Sequence, residues 1–147
     1  MKNKFTKITS LLVIFVTVLL GGVYYLKLSF SEGKIITPGS VESFLLVPDL
    51  LKDKALISIG AVKNYYYDSE DGPKPLIIGV KIITTEEKER IKSHIRKYFL
   101  RNSFKENEKK ELRKGRKLIL IAFKRRSEDS WLVDIDLLES FSGVLVE

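Results

Sequence analysis

An uninterrupted apolar run lies near the amino terminus. Residues 8–26, ITSLLVIFVTVLLGGVYYL, contain no charged side chain. An α-helix of this length spans about 28 Å at about 1.5 Å per residue, close to the hydrocarbon thickness of a bilayer. A buried core helix would carry a polar face, which this run lacks. The pattern therefore predicts a transmembrane signal anchor over residues 8–26.

Charges beside the run predict its orientation. Lys2, Lys4 and Lys7 precede it, and because Lys and Arg favour the cytoplasmic side, residues 1–7 are expected in the cytoplasm and the C-terminal domain outside it. Signal-peptide cleavage is the alternative. Ser29-Phe30-Ser31 has the small-x-small spacing of a cleavage site, and cleavage there would release a secreted or periplasmic domain.

The chain after the run begins with an irregular segment. Residues 27–40 mix Ser, Gly, Pro and Lys, which predicts a tether before a domain over residues 41–147. Ser40 is expected to cap a short helix whose apolar face carries Val41, Phe44 and Leu45 and packs on a sheet. Pro48 should end that helix and start a second turn.

Apolar segments on either side of turn-forming residues predict two hairpins. The first joins residues 56–67 to 76–83 through the turn-forming segment 68–74, and the second joins 117–126 to 131–138 through a polar loop. In the last strand, four apolar residues alternate with Asp134 and Asp136, which predicts one buried face and one face in solvent. The apolar residues are Trp131, Val133, Ile135 and Leu137.

Helical periodicity separates the two hairpins. Thr84 and Glu87 have the spacing of a capping box, and an apolar stripe follows at Ile91, Ile95, Tyr98 and Phe99. A second capping-box pattern, Ser103 with Glu106, predicts another helix that ends at Gly115. The fold class is therefore α+β: a transmembrane helix, then a small extramembrane domain with an antiparallel sheet of two hairpins and one or two packed helices.

Composition narrows the function classes. The chain has 147 residues, 44% of them hydrophobic, which allows one globular domain after the anchor and excludes a disordered chain. It has no Cys, so disulfides, a thiol nucleophile and Cys-ligated metals are excluded. No phosphate-binding glycine loop or nucleophile elbow occurs in the sequence. We therefore expect a protein that is not an enzyme and that uses no cofactor or metal.

The remaining candidate residues have simple structural interpretations. His94, the single imidazole, flanks the apolar stripe and is expected at the surface. Asp134-x-Asp136 could serve a small hydrolase or a cation site, but polar alternation explains it as well. Asp68, Glu70 and Asp71 with Gly72 lack the spacing of a calcium loop. Among Tyr65, Tyr66 and Tyr67, one core residue and two rim residues are expected.

The charge is concentrated in one segment. The formal net charge is +7, and residues 101–126 hold eleven basic residues against three acidic ones. Its simplest interpretation is a solvated charged helix. The functional interpretation is contact with an anionic surface or an acidic partner. The candidate contact residues are Lys105, Lys109, Lys110, Arg113, Lys114, Arg116 and Lys117.

Together these patterns predict a single-pass membrane-anchored, non-catalytic envelope protein. Its outer domain is expected to bind a protein partner or an envelope component, while residues 8–26 bind the lipid bilayer. Nucleic acid is not an expected partner because the basic segment is predicted to lie outside the cytoplasm. The alternative is a secreted or periplasmic ligand-binding domain released by cleavage after Ser31.

Overall fold

The computed structural model describes residues 2–30, 32–70 and 74–140, so Ser31 of the predicted cleavage site lies outside the described residues. The described residues divide into two compact units, one that ends at Phe30 and one that follows it. The first unit is a single helix, α1 (Lys2–Ser29). Its segment Ser10–Lys27 is long and apolar enough to cross a membrane, and none of that segment is buried. The prediction of an apolar helix of membrane-spanning length is therefore confirmed.

The second unit is an antiparallel sheet with short helices. Its described residues form β1 (Lys34–Ile36), α2 (Val41–Leu46), α3 (Asp49–Lys52), α4 (Lys54–Ile57), β2 (Ala61–Asp68), β3 (Leu76–Thr84), α5 (Lys88–Arg101), β4 (Lys105–Glu106), β5 (Leu112–Lys114), β6 (Lys117–Ser127) and β7 (Ser130–Glu139). The strand order is β1-β2-β3-β7-β6-β5-β4. The α+β class is confirmed.

The sheet is larger than the two predicted hairpins. Strand β3 pairs with β7 along its whole length, from Leu76 opposite Glu139 to Thr84 opposite Trp131, so the two hairpins become one sheet. Strand β1, which lies inside the segment predicted as a tether, adds to the edge at β2. Strands β4 and β5 extend the other edge beyond β6.

One face of the sheet faces the core. The buried face predicted for β7 is confirmed at Val133, Ile135 and Leu137, whereas Trp131 is half-exposed. The predicted solvent face is wrong in degree, because Asp134 and Asp136 are half-buried. Helices α3 to α5 contribute buried side chains to the same core, including the predicted α5 stripe of Ile91, Ile95, Tyr98 and Phe99. The Tyr98 hydroxyl donates to the Leu50 carbonyl at 2.8 Å and lies 3.2 Å from Asp53 Oδ2. Burial and Asp53 raise the pKa of Tyr98 to about 12.

The first short helices have the predicted ends but a different buried face. The Ser40 hydroxyl accepts from the Ser43 amide and caps α2, and Pro48 precedes α3, both as predicted. The predicted packing face is wrong: Val41, Phe44 and Leu45 are exposed, Phe44 by 79%, while Ser43 and Leu46 are buried. The side of α2 with more apolar residues is therefore not the side that is buried.

The start of β2 and the start of α5 also differ from expectation. Leu56 belongs to α4, because the Asp53 carboxylate accepts from the Ala55 amide at 2.8 Å and caps a short helix there. Thr84 ends β3 and donates its hydroxyl to the Ile59 carbonyl at 2.5 Å. The capping box does not form; Glu87 precedes α5 without a side-chain cap bond.

The helix predicted between Ser103 and Gly115 is wrong. The segment is a hairpin of β4 and β5 that pairs with β6. Ser103 and Lys110 have φ of 68° and 61°, values that interrupt a helix. The Asn107 side chain accepts from the Glu111 amide at 2.8 Å and closes the turn. Pairing with β6 and burial of Phe104 and Leu112 outweigh the local helix signal.

Candidate functional site

A wide groove with an apolar floor lies between α5 and the β5–β6 region. It encloses about 620 Å³, a size within the range of ligand pockets, about 300–1,000 Å³. We call it the α5 groove. Helix α5 supplies one wall, while β5, β6 and the β4–β5 turn supply the other wall and the floor.

The floor of the α5 groove is apolar and partly open. Leu112 is buried, whereas Ile121 and Phe123 remain half-exposed. Alternation along β6 directs Ile121 and Phe123 toward the helix side of the sheet. The Lys88 ammonium lies 5.5 Å from the Phe123 ring centre and 5.6 Å from the Trp131 ring centre, within the range of cation–π contacts.

The rim of the α5 groove is electropositive. Lys92 pairs with Glu89 at 2.9 Å, and Arg96 pairs with Glu106. The charges within each pair cancel, which leaves Lys88 and Lys110 as the excess charge among the groove's described lining residues. An apolar floor under a positive rim suits a segment that carries both an apolar side chain and carboxylates.

The seven basic residues predicted as an anionic-surface contact do not share one surface. Register places Lys105 opposite Arg113 on one sheet face and Lys114 opposite Lys117 on the other. Lys109 and Lys110 lie in the turn, and Lys110 also lines the α5 groove. Arg116 is exposed in the turn that precedes β6. Their joint contact with an anionic surface stays a prediction.

Several of these seven residues have partners within the domain. Arg113 pairs with Glu111 at 3.0 Å, and Lys117 pairs with Glu139 at 3.3 Å. Lys114 donates to the Asn102 carbonyl at 3.0 Å and lies 5.9 Å from the Phe104 ring centre. These contacts give part of the cluster a structural role in holding the β4–β5 hairpin.

Asp134 and Asp136 lie on the sheet face opposite the core. Asp136 faces Gly79 across the β3–β7 pair, and a Cβ at Gly79 would collide with Asp136 Oδ1. Burial, and then the neighbouring Asp134 charge, raise the pKa of Asp136. Asp134 pairs with Lys81 at 3.7 Å. The missing side chain at Gly79 thus makes room for this carboxylate.

A second polar cluster closes the β2–β3 hairpin around Asp68. The Lys74 ammonium lies 2.7 Å from Asp68 Oδ2, and the Tyr66 hydroxyl donates to the same oxygen at 3.1 Å. The Gly33 amide donates to Asp68 Oδ1 at 3.3 Å, which ties the start of β1 to the hairpin. The bond from Lys74 is the main cause that lowers the pKa of Asp68.

Replacing Asp68 with Asn should therefore destabilise the domain in a pH-dependent way. We expect a loss of about 1–3 kcal/mol near neutral pH, because the buried Asp68 carboxylate is the charged acceptor of the more exposed Lys74 and Tyr66. Because folding lowers the pKa of Asp68, its contribution is present above the ordinary Asp pKa of about 3.9 and lost as the pH falls through the folded value. Urea unfolding across this pH range measures the difference.

The matched control is Asp129→Asn, which changes an exposed carboxyl in the β6–β7 turn. It should leave the free energy of unfolding within about 0.5 kcal/mol of the parent. A difference between Asp68→Asn and the parent that persists undiminished in acid would contradict the ionic role of Asp68.

The other candidates resolve into structural roles. His94 is half-buried, and its Nε2 lies 2.5 Å from the Ala55 carbonyl, so it links α5 to α4. Tyr65 and Tyr67 are buried and Tyr66 lies on the opposite face, so the alternation was predicted correctly but the number of core tyrosines was not.

Asp71 and Gly72 of the calcium-like loop lie outside the described residues. Within residues 2–30, 32–70 and 74–140, no cluster of three metal-ligating side chains occurs.

Comparison of the chain with known protein families, curated proteins and solved structures finds no match. The α5 groove was not predicted from the sequence, because Lys88 and Phe123 come together only through folding.

Proposed function

We propose that this chain is a single-pass, membrane-anchored, non-catalytic envelope protein whose domain after the anchor binds a protein partner. The α5 groove carries the binding part of the proposal. It combines half-exposed Ile121 and Phe123 with an electropositive rim. Helix α1 supports the anchoring part, because every side chain described between Ser10 and Lys27 is exposed and the segment is apolar.

The chemistry of the groove specifies the partner's contact segment. It should insert an apolar side chain against Ile121 and Phe123 and place carboxylates near Lys88 and Lys110. Apolar burial would supply most of the affinity, at about 25 cal/mol per Å² of buried surface before association costs. The charges would favour acidic partners and raise the association rate.

In this proposal the amino terminus lies in the cytoplasm. Lys2, Lys4 and Lys7 precede the apolar segment, and Lys residues favour the cytoplasmic side. The groove would then meet proteins or other envelope components outside the cytoplasm. The contacts of Asp134 and Asp136 support the non-catalytic part of the proposal. Asp134 pairs with Lys81, and Asp136 occupies the space beside Gly79, so both carboxylates have structural roles.

Site-specific photocrosslinking tests the groove. A photoreactive phenylalanine analogue at Lys92 in the full chain, within native membranes, should give an adduct with a partner because Lys92 lines the groove. The same analogue at Lys97, an exposed residue of the same helix outside the groove lining, is the matched control. We expect adducts at position 92 and none at position 97.

A charge change identifies which feature of the groove holds the partner. Lys110→Glu should reduce the position-92 adduct by about tenfold or more if it removes at least 1.4 kcal/mol of binding. Equal yields at positions 92 and 97, or no adduct at position 92, would contradict the groove as the binding surface.

A further inference from the structure

A second basic cluster is assembled from distant parts of the sequence. Lys63 of β2 and three consecutive β6 residues, Lys124, Arg125 and Arg126, line one small pocket together with Ile83 and Leu132. We call it the basic corner. All four cations are exposed, and none of its described lining residues is acidic.

The sheet register explains how the basic corner forms. Ile83 lies opposite Leu132 across the β3–β7 pair, and Leu132 lies opposite Lys124 across the β7–β6 pair. The half-exposed Ile83 and Leu132 therefore make an apolar floor two strands wide. Lys63 borders it from β2 and Lys124 from β6, so the positive charges flank an apolar strip.

Contacts of Arg125 hold one side of the basic corner in place. Its guanidinium donates to the backbone carbonyls of Ser127 and Glu128 at 3.4 and 3.1 Å, at the β6–β7 turn. Because these acceptors are neutral, the Arg125 charge is not cancelled by them. The other cations have long apolar stems that can follow the floor while their charged ends reach an anion.

We propose that the basic corner contacts the anionic phospholipid headgroups of the bilayer that holds α1. Its pocket is about 180 Å³, below the range of about 300–1,000 Å³ typical of larger ligands, and suits a phosphate-bearing headgroup. Clustered Lys and Arg beside apolar side chains are the chemistry that anionic membrane surfaces attract. This inference rests on the anchoring part of the proposed function and is independent of the α5 groove.

Fluorescence of a labelled chain in lipid nanodiscs tests the contact. Because the chain has no Cys, Glu128→Cys gives a unique site for an environment-sensitive dye beside the basic corner. Glu108→Cys, an exposed residue of the β4–β5 turn, is the matched reporter. The full chain is placed in discs of phosphatidylcholine alone or with phosphatidylglycerol, each with the same fraction of headgroup-nitroxide lipid.

We expect the label at position 128, but not the label at position 108, to be quenched when phosphatidylglycerol is present. Replacing Lys63, Lys124 and Arg126 together with Gln should abolish this quenching, because each cation near an anionic surface changes partitioning by about fivefold. Replacing the exposed Lys54, Lys97 and Arg101 with Gln is the charge-matched control and should preserve the quenching. In 1 M salt, where the screening length is about 3 Å, the signal should disappear.

Co-elution of the chain with the discs reports anchoring separately. If the chain co-elutes but position 128 shows no phosphatidylglycerol-dependent quenching, the headgroup contact is wrong while the anchor stands. Quenching that survives the Lys63, Lys124 and Arg126 substitutions also overturns the proposal. A position-128 response to added polyglutamate in neutral discs, without one to phosphatidylglycerol, would identify the basic corner as a protein contact instead.

Discussion

Replacing Phe99 with Ala should lower the free energy of unfolding by about 3–5 kcal/mol. Phe99 is fully buried in α5, and its ring centre lies 5.2 Å from those of Tyr98 and Phe104 in edge-to-face geometry. The substitution removes both ring contacts and leaves a cavity where α5 meets the β4–β5 hairpin. Urea unfolding of the full chain in neutral detergent micelles, followed by the fluorescence of Trp131, measures the change; the chain has a single Trp.

Phe44→Ala is the matched control for Phe99→Ala. The Phe44 side chain is 79% exposed, and its described aromatic contact is the Lys52 ammonium at 5.7 Å. Loss of an exposed cation–π contact should cost at most about 1 kcal/mol. Equal losses for the two substitutions would mean that the Phe99 cluster does not hold the core together.

Elements with a strong local pattern could be predicted from the sequence. Strands β3 and β7 contain alternating β-branched or aromatic residues, β6 contains the apolar run 118–123, and α5 contains a four-residue stripe at helical spacing. In each case the local preference agrees with the tertiary environment. The exposed apolar run of α1 was predictable for a different reason, because its length and its lack of a polar face distinguish it from a core helix.

Elements that depend on partners far along the chain could not be predicted. The 103–115 segment has a helix-capping pattern, but its edge position beside β6 favours a hairpin. Strand β1 has only three residues and is defined by its pairing with β2. At these places the hydrogen bonds and buried area supplied by distant strands exceed a local propensity of a few tenths of a kcal/mol per residue.

The same distinction separates the predicted charge cluster from the α5 groove and the basic corner. The basic residues of segment 105–117 are close together in sequence. Side chains along the strands of a hairpin point alternately to the two faces, however, so Lys105 and Lys114 lie on opposite faces. Lys63 and Lys124 are far apart in sequence but line one pocket through the strand order β2-β3-β7-β6. The composition of each surface in this domain is therefore set by strand order rather than by runs of charge.

Two arginines in the apolar helix should abolish membrane retention of this chain. Ile14 and Val18 lie one helical turn apart in α1, and their side chains are 62% and 68% exposed. Arg at the centre of a membrane-spanning helix costs about 2.5–3.5 kcal/mol per residue in insertion. We expect Ile14→Arg with Val18→Arg to move the chain from the carbonate-resistant membrane fraction to the extracted fraction.

The control adds the same charge elsewhere and separates insertion from general damage. Val41 and Phe44 of α2 are exposed apolar residues of the second unit, so Val41→Arg with Phe44→Arg should leave the chain in the membrane fraction. Amino-terminal sequencing of the membrane-bound parent should find an uncleaved chain. A mature chain that starts at Glu32, or equal extraction of both double variants, would favour the released ligand-binding domain, because α1 would then supply no lasting anchor.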